Sequence, residues 1–228
     1  MQPHDGGPIY AETRAAPDNG PYPVEPWNTW SNLIFVAVIV YFIRHTSLNI
    51  RRYRLVVLSL PILFVGWCGG TLFHATRADV VWLILDILPI VTLSIAVGLS
   101  FWRMVVHSWG KAVACFFGIA VSGRFLATLL VADHALRISF WYISMALPIV
   151  LPLFVVVQRK ARSEKILFIG VLASFAVAVI FRMWDRTGVE PLLPMGTHFL
   201  WHLFGGVAVF LLMLLQVRIV EQASSLRE

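Results

Sequence analysis

The sequence predicts an all-α, polytopic membrane protein with seven transmembrane helices, and three observations predict it. The 228 residues are 59% hydrophobic and only 13% charged, whereas an ordinary soluble domain carries about a quarter charged residues. The apolar residues fall in seven runs of roughly twenty, the length at which a helix crosses a bilayer. Lys and Arg are shared unequally between the short segments that alternate with those runs, the bias that sets orientation in a membrane.

The first 26 residues are polar and rich in Pro and Gly. They lack a basic stretch followed by a short apolar one, so no cleavable signal is expected and the first run stays in the mature chain. The expected spans are 28–45, 55–73, 80–101, 112–132, 138–157, 166–183 and 199–217. Pro61, Pro89, Pro148 and Pro152 lie inside them, which a membrane helix tolerates where neighbouring helices satisfy the freed carbonyls. The chain thus reads as a polar, extracytoplasmic segment over 1–26, a seven-helix domain over 27–217 and a cytosolic tail over 218–228. There is no room for a second soluble domain. Cys68 and Cys115 sit inside apolar runs without metal-ligand spacing and read as packing residues.

The formal charge of +6 forms no stripe or tail, so nucleic acid is not an expected partner, and no segment calls for an obligate protein partner. The basic residues mark topology instead. Arg44, Arg51, Arg52, Arg54, Arg103, Lys111, Arg159, Lys160, Arg162, Lys165, Arg218 and Arg227 fall on one side; Arg14, Arg77, Arg137, Arg182 and Arg186 fall on the other. The amino terminus is therefore expected outside and the carboxyl terminus in the cytosol.

On that map the metal-competent side chains share one leaflet. His74 ends the second span. Asp86, embedded seven residues into the third, lies roughly 10 Å below the outer surface at 1.5 Å per residue. His198 and His202 open the seventh span, four residues apart and so on one helical face. A carboxylate inside a bilayer is costly and by default faces the bundle interior with a partner. Three neutral imidazoles and a water make an open tetrahedral zinc site, in which the ion brings the pKa of its water to about 7. Asp86 is then the expected acid/base.

These residues resemble a known family, the alkaline ceramidases, within a superfamily of seven-span zinc hydrolases that includes adiponectin and progestin receptors. The resemblance rests on Glu25-Pro26-Trp27-Asn28-Thr29-Trp30-Ser31-Asn32-Leu33, on Phe73-His74-Ala75-Thr76 followed by Leu85-Asp86-Ile87-Leu88-Pro89, on Met183-Trp184-Asp185-Arg186, and on His198-Phe199-Leu200-Trp201-His202. It implies zinc on His74, His198 and His202, Asp86 as acid/base, and a membrane lipid substrate of the ceramide type. Hydrolysis would give a fatty acid and a sphingoid-type amine. Two departures stand out. The family's serine four residues before the first histidine is replaced by Gly70, with Thr71 the nearest hydroxyl to stand in for it. The family's calcium site draws on acids before the first span; here Glu25 matches, while Glu12, Asp18 and Asn19 compare only loosely in spacing.

Other residues carry weaker readings. Trp27, Trp30, Trp82, Trp141, Trp184 and Trp201 lie near outer helix ends, as interfacial belt residues do; Trp201, between two expected ligands, is also a candidate substrate contact. Arg124, deep in the fourth span, either meets a substrate headgroup or snorkels to the surface. Asn28, Ser31 and Asn32 read as interhelical hydrogen bonders, Asp133 and His134 as solvated, and Gly205 and Gly206 as close-packing positions. Three functional classes stay open: an amidase acting on ceramide or another N-acyl lipid, a receptor-like protein with a structural or weakly hydrolytic zinc, and a transporter using Asp86 as a proton carrier. A retinal protein is disfavoured because Lys111, Lys160 and Lys165 all fall in loops.

Overall fold

The structure, a computed structural model, describes residues 6–17, 20–189 and 191–225. Two short helices, α1 (Ala11–Ala15) and α2 (Pro26–Ser31), precede the long ones: α3 (Leu33–Thr46), α4 (Arg54–Thr76), α5 (Val80–Val106), α6 (Trp109–Leu130) and α7 (His134–Lys160). A single 3-10 turn at Arg162–Glu164 leads into α8 (Lys165–Trp184), and α9 (His198–Ser225) closes the chain. No strand occurs among the described residues. Seven helical segments there are long and apolar enough to cross a membrane, the first formed by α2 and α3 together over Pro26–Thr46.

The segments coincide with the expected spans and most run longer at both ends, while α6 starts earlier and stops at Leu130, short of the expected 132. Residues 218–225, expected in a tail, continue α9. Nothing in them breaks a helix, Arg218 lies 3.6 Å from Glu221 one turn on, and the Tyr53 hydroxyl donates to the Glu221 carboxylate at 3.1 Å. The four interior prolines lie within α4, α5 and α7 without ending them. Asp18 and Asn19 lie outside the described residues, as does the His134 side chain.

Successive spans alternate in direction, so the end of α4, the start of α5, the end of α8, the start of α9 and the amino-terminal segment all meet at one end of the bundle. The interior of the opposite half is apolar. There Val38, Phe42, Val56, Leu60 and Val217 form one buried cluster, and Phe101, Leu153, Val156, Val157 and Leu215 form another. Large apolar side chains such as Leu130 and Ile166 point outward, as a lipid-facing surface requires.

Small residues set the closest helix approaches. At Gly69 a Cβ would lie 2.6 Å from the backbone nitrogen of Asp86 on α5. Gly206 of α9 packs against Ile34, where a Cβ would come within 2.6 Å of the side chain. Gly205, expected to play the same part, faces open space, because the helix turns it about 100° away from its neighbour. Both cysteines are free and half-buried among packed helices.

Gly69→Ala is expected to lower the thermal midpoint, with overpacking costing roughly 1–3 kcal/mol, because backbone on α5 must move. Gly118→Ala, on α6 with nothing within 4 Å of its Cβ position, serves as the control and is expected to be neutral or stabilising. Equal melting of both variants would show that the α4–α5 approach is not set by Gly69.

Candidate metal centre

The turn between α4 and α5 brings His74 and Asp86 to the same end of the bundle. Arg77 caps α4 in the left-handed conformation (φ 49°), its N–H donating to Phe73 O at 2.9 Å. Asp79 caps α5 by accepting from Val81 N at 2.8 Å. A second device fixes the start of α9. The buried Asp185 carboxylate accepts from Thr197 N at 2.7 Å, His198 N at 2.9 Å and Ala11 N at 3.1 Å. Gly196 (φ 66°) precedes it; a side chain there would be strained and would come within 2.5 Å of the Ala11 Cβ. The first ligand-competent residue of α9 is thus held by a backbone cap, and the second follows one turn later.

His74, His198 and His202 converge, each offering one ring nitrogen with all three atoms within 4.8 Å of one another. All three side chains are buried. Their Nδ1 atoms have different environments. His74 Nδ1 meets Glu25 Oε2 at 2.5 Å. His202 Nδ1 donates to Asn28 O at 3.0 Å and lies 2.8 Å from Ser31 Oγ. A carbonyl oxygen can only accept, so Nδ1 of His202 carries the proton and Nε2 keeps its lone pair, the form a metal binds. The same holds for His74 against the Glu25 carboxylate. His198 Nδ1 is buried without a hydrogen-bond partner, and the Tyr10 ring stacks on that imidazole at 3.8 Å between centroids. Leaving a buried nitrogen unsatisfied costs about 1–3 kcal/mol. The donor set fits a metal ion: three imidazoles, two of them fixed in tautomer from behind, and one with an orphaned atom.

Glu25 is the junction behind this cluster. Its Oε2 also accepts from Asn28 Nδ2 at 3.0 Å. Its Oε1 pairs with Arg77 Nη1 at 2.5 Å and accepts from the Thr13 hydroxyl. Burial alone would raise this carboxyl, but His74, Arg77 and Thr13 outweigh it and hold it down to about 2. Backbone bonds from Val24 N to Ala75 O (2.9 Å) and Glu25 N to His74 O (3.1 Å) lay the segment along the end of α4. Glu12, in α1, accepts from Trp27 N at 2.7 Å and Asn28 N at 2.9 Å and so caps α2.

The other expected site residues are placed as follows. The Asp86 carboxylate packs against Gly70: a Cβ there would lie 2.7 Å from Asp86 Oδ1 and 3.5 Å from Asn32 Oδ1. Gly70 is therefore the space that the Asp86 side chain uses, and a serine would displace it. The Thr71 hydroxyl is buried without a hydrogen-bond partner. Trp201 sits edge-on to Tyr142 at 5.2 Å. Arg124 stacks over the Trp141 ring at 4.0 Å on the exposed face of α6, and no described contact joins it to the histidines. Glu25, the candidate calcium ligand, has both oxygens engaged by His74, Asn28, Arg77 and Thr13. Asn28 and Ser31 serve His202 rather than only tying helices together. Asp133 caps α7 at the surface, accepting from Leu136 N at 2.7 Å.

Sequence reasoning missed Tyr10, Arg182 and the cap made by Asp185. Asp185 lies inside the Met183-Trp184-Asp185-Arg186 motif, so a signal for it existed. Arg182 falls at the outer end of the expected span 166–183, among the charges that mark topology, yet it is buried on α8, over the rings of Tyr142 (4.6 Å) and Trp201 (5.3 Å). Tyr10 had no signal, because its contacts are made across the whole length of the chain.

Fold and site together define a seven-helix membrane protein with a buried three-histidine cluster fit to hold a metal ion. No protein-family model and no curated protein matches this chain.

Glu25→Gln keeps the side-chain volume but removes the charge facing His74 and Arg77. Affinity for an added divalent metal ion, measured by competition with a chelator, is expected to fall roughly 10- to 100-fold, as for other partners behind a ligating histidine. An unchanged affinity would refute the role given to Glu25.

Proposed function

We propose that the chain is an intramembrane zinc-dependent amidase that hydrolyses the N-acyl bond of ceramide or a ceramide-like lipid. The observation that supports it most is the convergence of three buried imidazoles with the embedded Asp86, in the order and spacing of alkaline ceramidases. His74, His198 and His202 would hold the ion; when bound, it supplies Lewis-acid polarisation and a water whose pKa is near neutrality. The protein's own groups do the rest. Glu25 and the Asn28 carbonyl keep two imidazoles in the ligating tautomer. Asp86, kept beside the cluster by the space at Gly70, takes the proton of the attacking water and returns it to the leaving amine. Thr71, with its unpartnered hydroxyl, donates to the oxygen of the reacting carbonyl. The apolar bundle excludes bulk water.

We also propose that the amino-terminal segment faces the extracytoplasmic side, where the cluster then lies, because basic residues concentrate at the other end. A cysteine introduced within 6–17 is expected to react with an impermeant maleimide added outside intact cells, and one within 220–225 is not. The reverse labelling would invert the topology.

The reaction is tested by zinc analysis together with mass spectrometry of products from a panel of N-acyl lipids. The protein is expected to carry about one zinc and to release fatty acid, and chelation is expected to stop release. His198→Ala and His202→Ala are expected to lose both zinc and activity, since two imidazoles hold zinc poorly against water and buffer. Asp86→Asn should keep zinc while turnover falls by about 10²- to 10⁴-fold. Zinc present without any product would instead favour the receptor-like reading; a fully active Asp86→Asn would remove the acid/base assignment.

A further inference from the structure

The geometry points to a second binding element beside the histidines: we propose that Arg182 is an oxyanion subsite that takes the carboxylate head of a long-chain fatty acid. Arg182 lies two residues before the end of α8, and its side chain is buried rather than solvated. It packs over Tyr142 and Trp201, with Tyr10 close by. Its Nε is buried without a partner. Among the described residues it makes no ion pair, although Asp86 is near enough for its charge to be felt.

A guanidinium without an ion-pair partner in an apolar bundle is costly even after relaxation. The cost is offset when an anion enters, and a planar guanidinium suits a carboxylate because it offers paired N–H donors. One ring places this subsite next to the cluster. Tyr10 contacts both Arg182 and the imidazole of His198. Trp201, under the guanidinium, stands in sequence between His198 and His202. Hydrolysis of an N-acyl lipid creates a carboxylate at the carbon that was attacked, so the product acquires its charge beside Arg182. That source of the carboxylate rests on the amidase reading; the binding itself does not.

The test is displacement of a fluorescent fatty acid from purified full-length protein in neutral detergent, as isolated and after chelation, so that metal cannot supply the attraction. The competitors are oleate, oleyl alcohol and oleyl phosphate. Oleate is expected to compete at least about tenfold better than oleyl alcohol, the size of a charge-assisted hydrogen-bond contribution. Arg182→Met should abolish that preference and leave oleyl alcohol unchanged. Should the methionine variant fail to fold, Arg182→Lys, which keeps the charge and loses the fork, is expected to weaken oleate alone. Equal competition by oleate and oleyl alcohol in the wild type overturns the proposal, as does a preference that survives in every folded variant. Strong competition by oleyl phosphate with oleate no better than the alcohol also overturns it, because the site would then be built for a phosphate headgroup. A preference for oleate without any lipid hydrolysis would remove the amidase reading and leave the subsite standing; hydrolysis without the preference would do the reverse.

Discussion

An imidazole that offers one nitrogen to a metal inside an apolar bundle is held in the right tautomer only where the protein satisfies its other nitrogen, since no solvent is at hand. In this chain that requirement is met for His74 by Glu25 and for His202 by the Asn28 carbonyl and Ser31. Glu25 in turn needs compensation, because a buried carboxylate is costly by itself. Arg77, Thr13 and Asn28 supply it. Much of the polar structure at this end of the bundle descends from that single need. The amino-terminal segment is drawn over the cluster by the same contacts, and Tyr10 is delivered onto His198 as a result.

The bundle is accordingly divided by chemistry along its length. One end is held by close-packed aliphatic and aromatic side chains. The other is held by hydrogen bonds to carboxylates: Asp185 caps α9, Glu12 caps α2, and Glu25 anchors the end of α4. Polar contacts in a low-dielectric setting are directional and expensive to break, so they locate individual atoms where apolar packing locates only helices. A site built on such contacts keeps three histidines from two distant segments in register. The glycines act in the same sense. Gly69 lets α5 approach α4, and Gly70, one residue on, leaves the Asp86 carboxylate room between the two helices.

The sequence by itself determined the architecture and the identity of the cluster. Runs of about twenty apolar residues can bury their backbone polar groups only as helices in a bilayer, and seven such runs leave little freedom of topology. The alternation of direction then puts His74, Asp86, His198 and His202 at one end without any knowledge of packing. The extent of α9 was less legible, because helix ends are marked by breakers and residues 218–225 contain none. Tertiary structure decided the remainder. Whether Arg182 faces a loop or the interior depends on how α8 is turned about its axis against α7 and α9, which a charge count does not see. The place of Tyr10, the cap made by Asp185 and the use of Glu25 behind His74 join residues far apart in the chain. Their positions follow from the pairing of buried charges, which is a property of three-dimensional neighbours and not of sequence spacing.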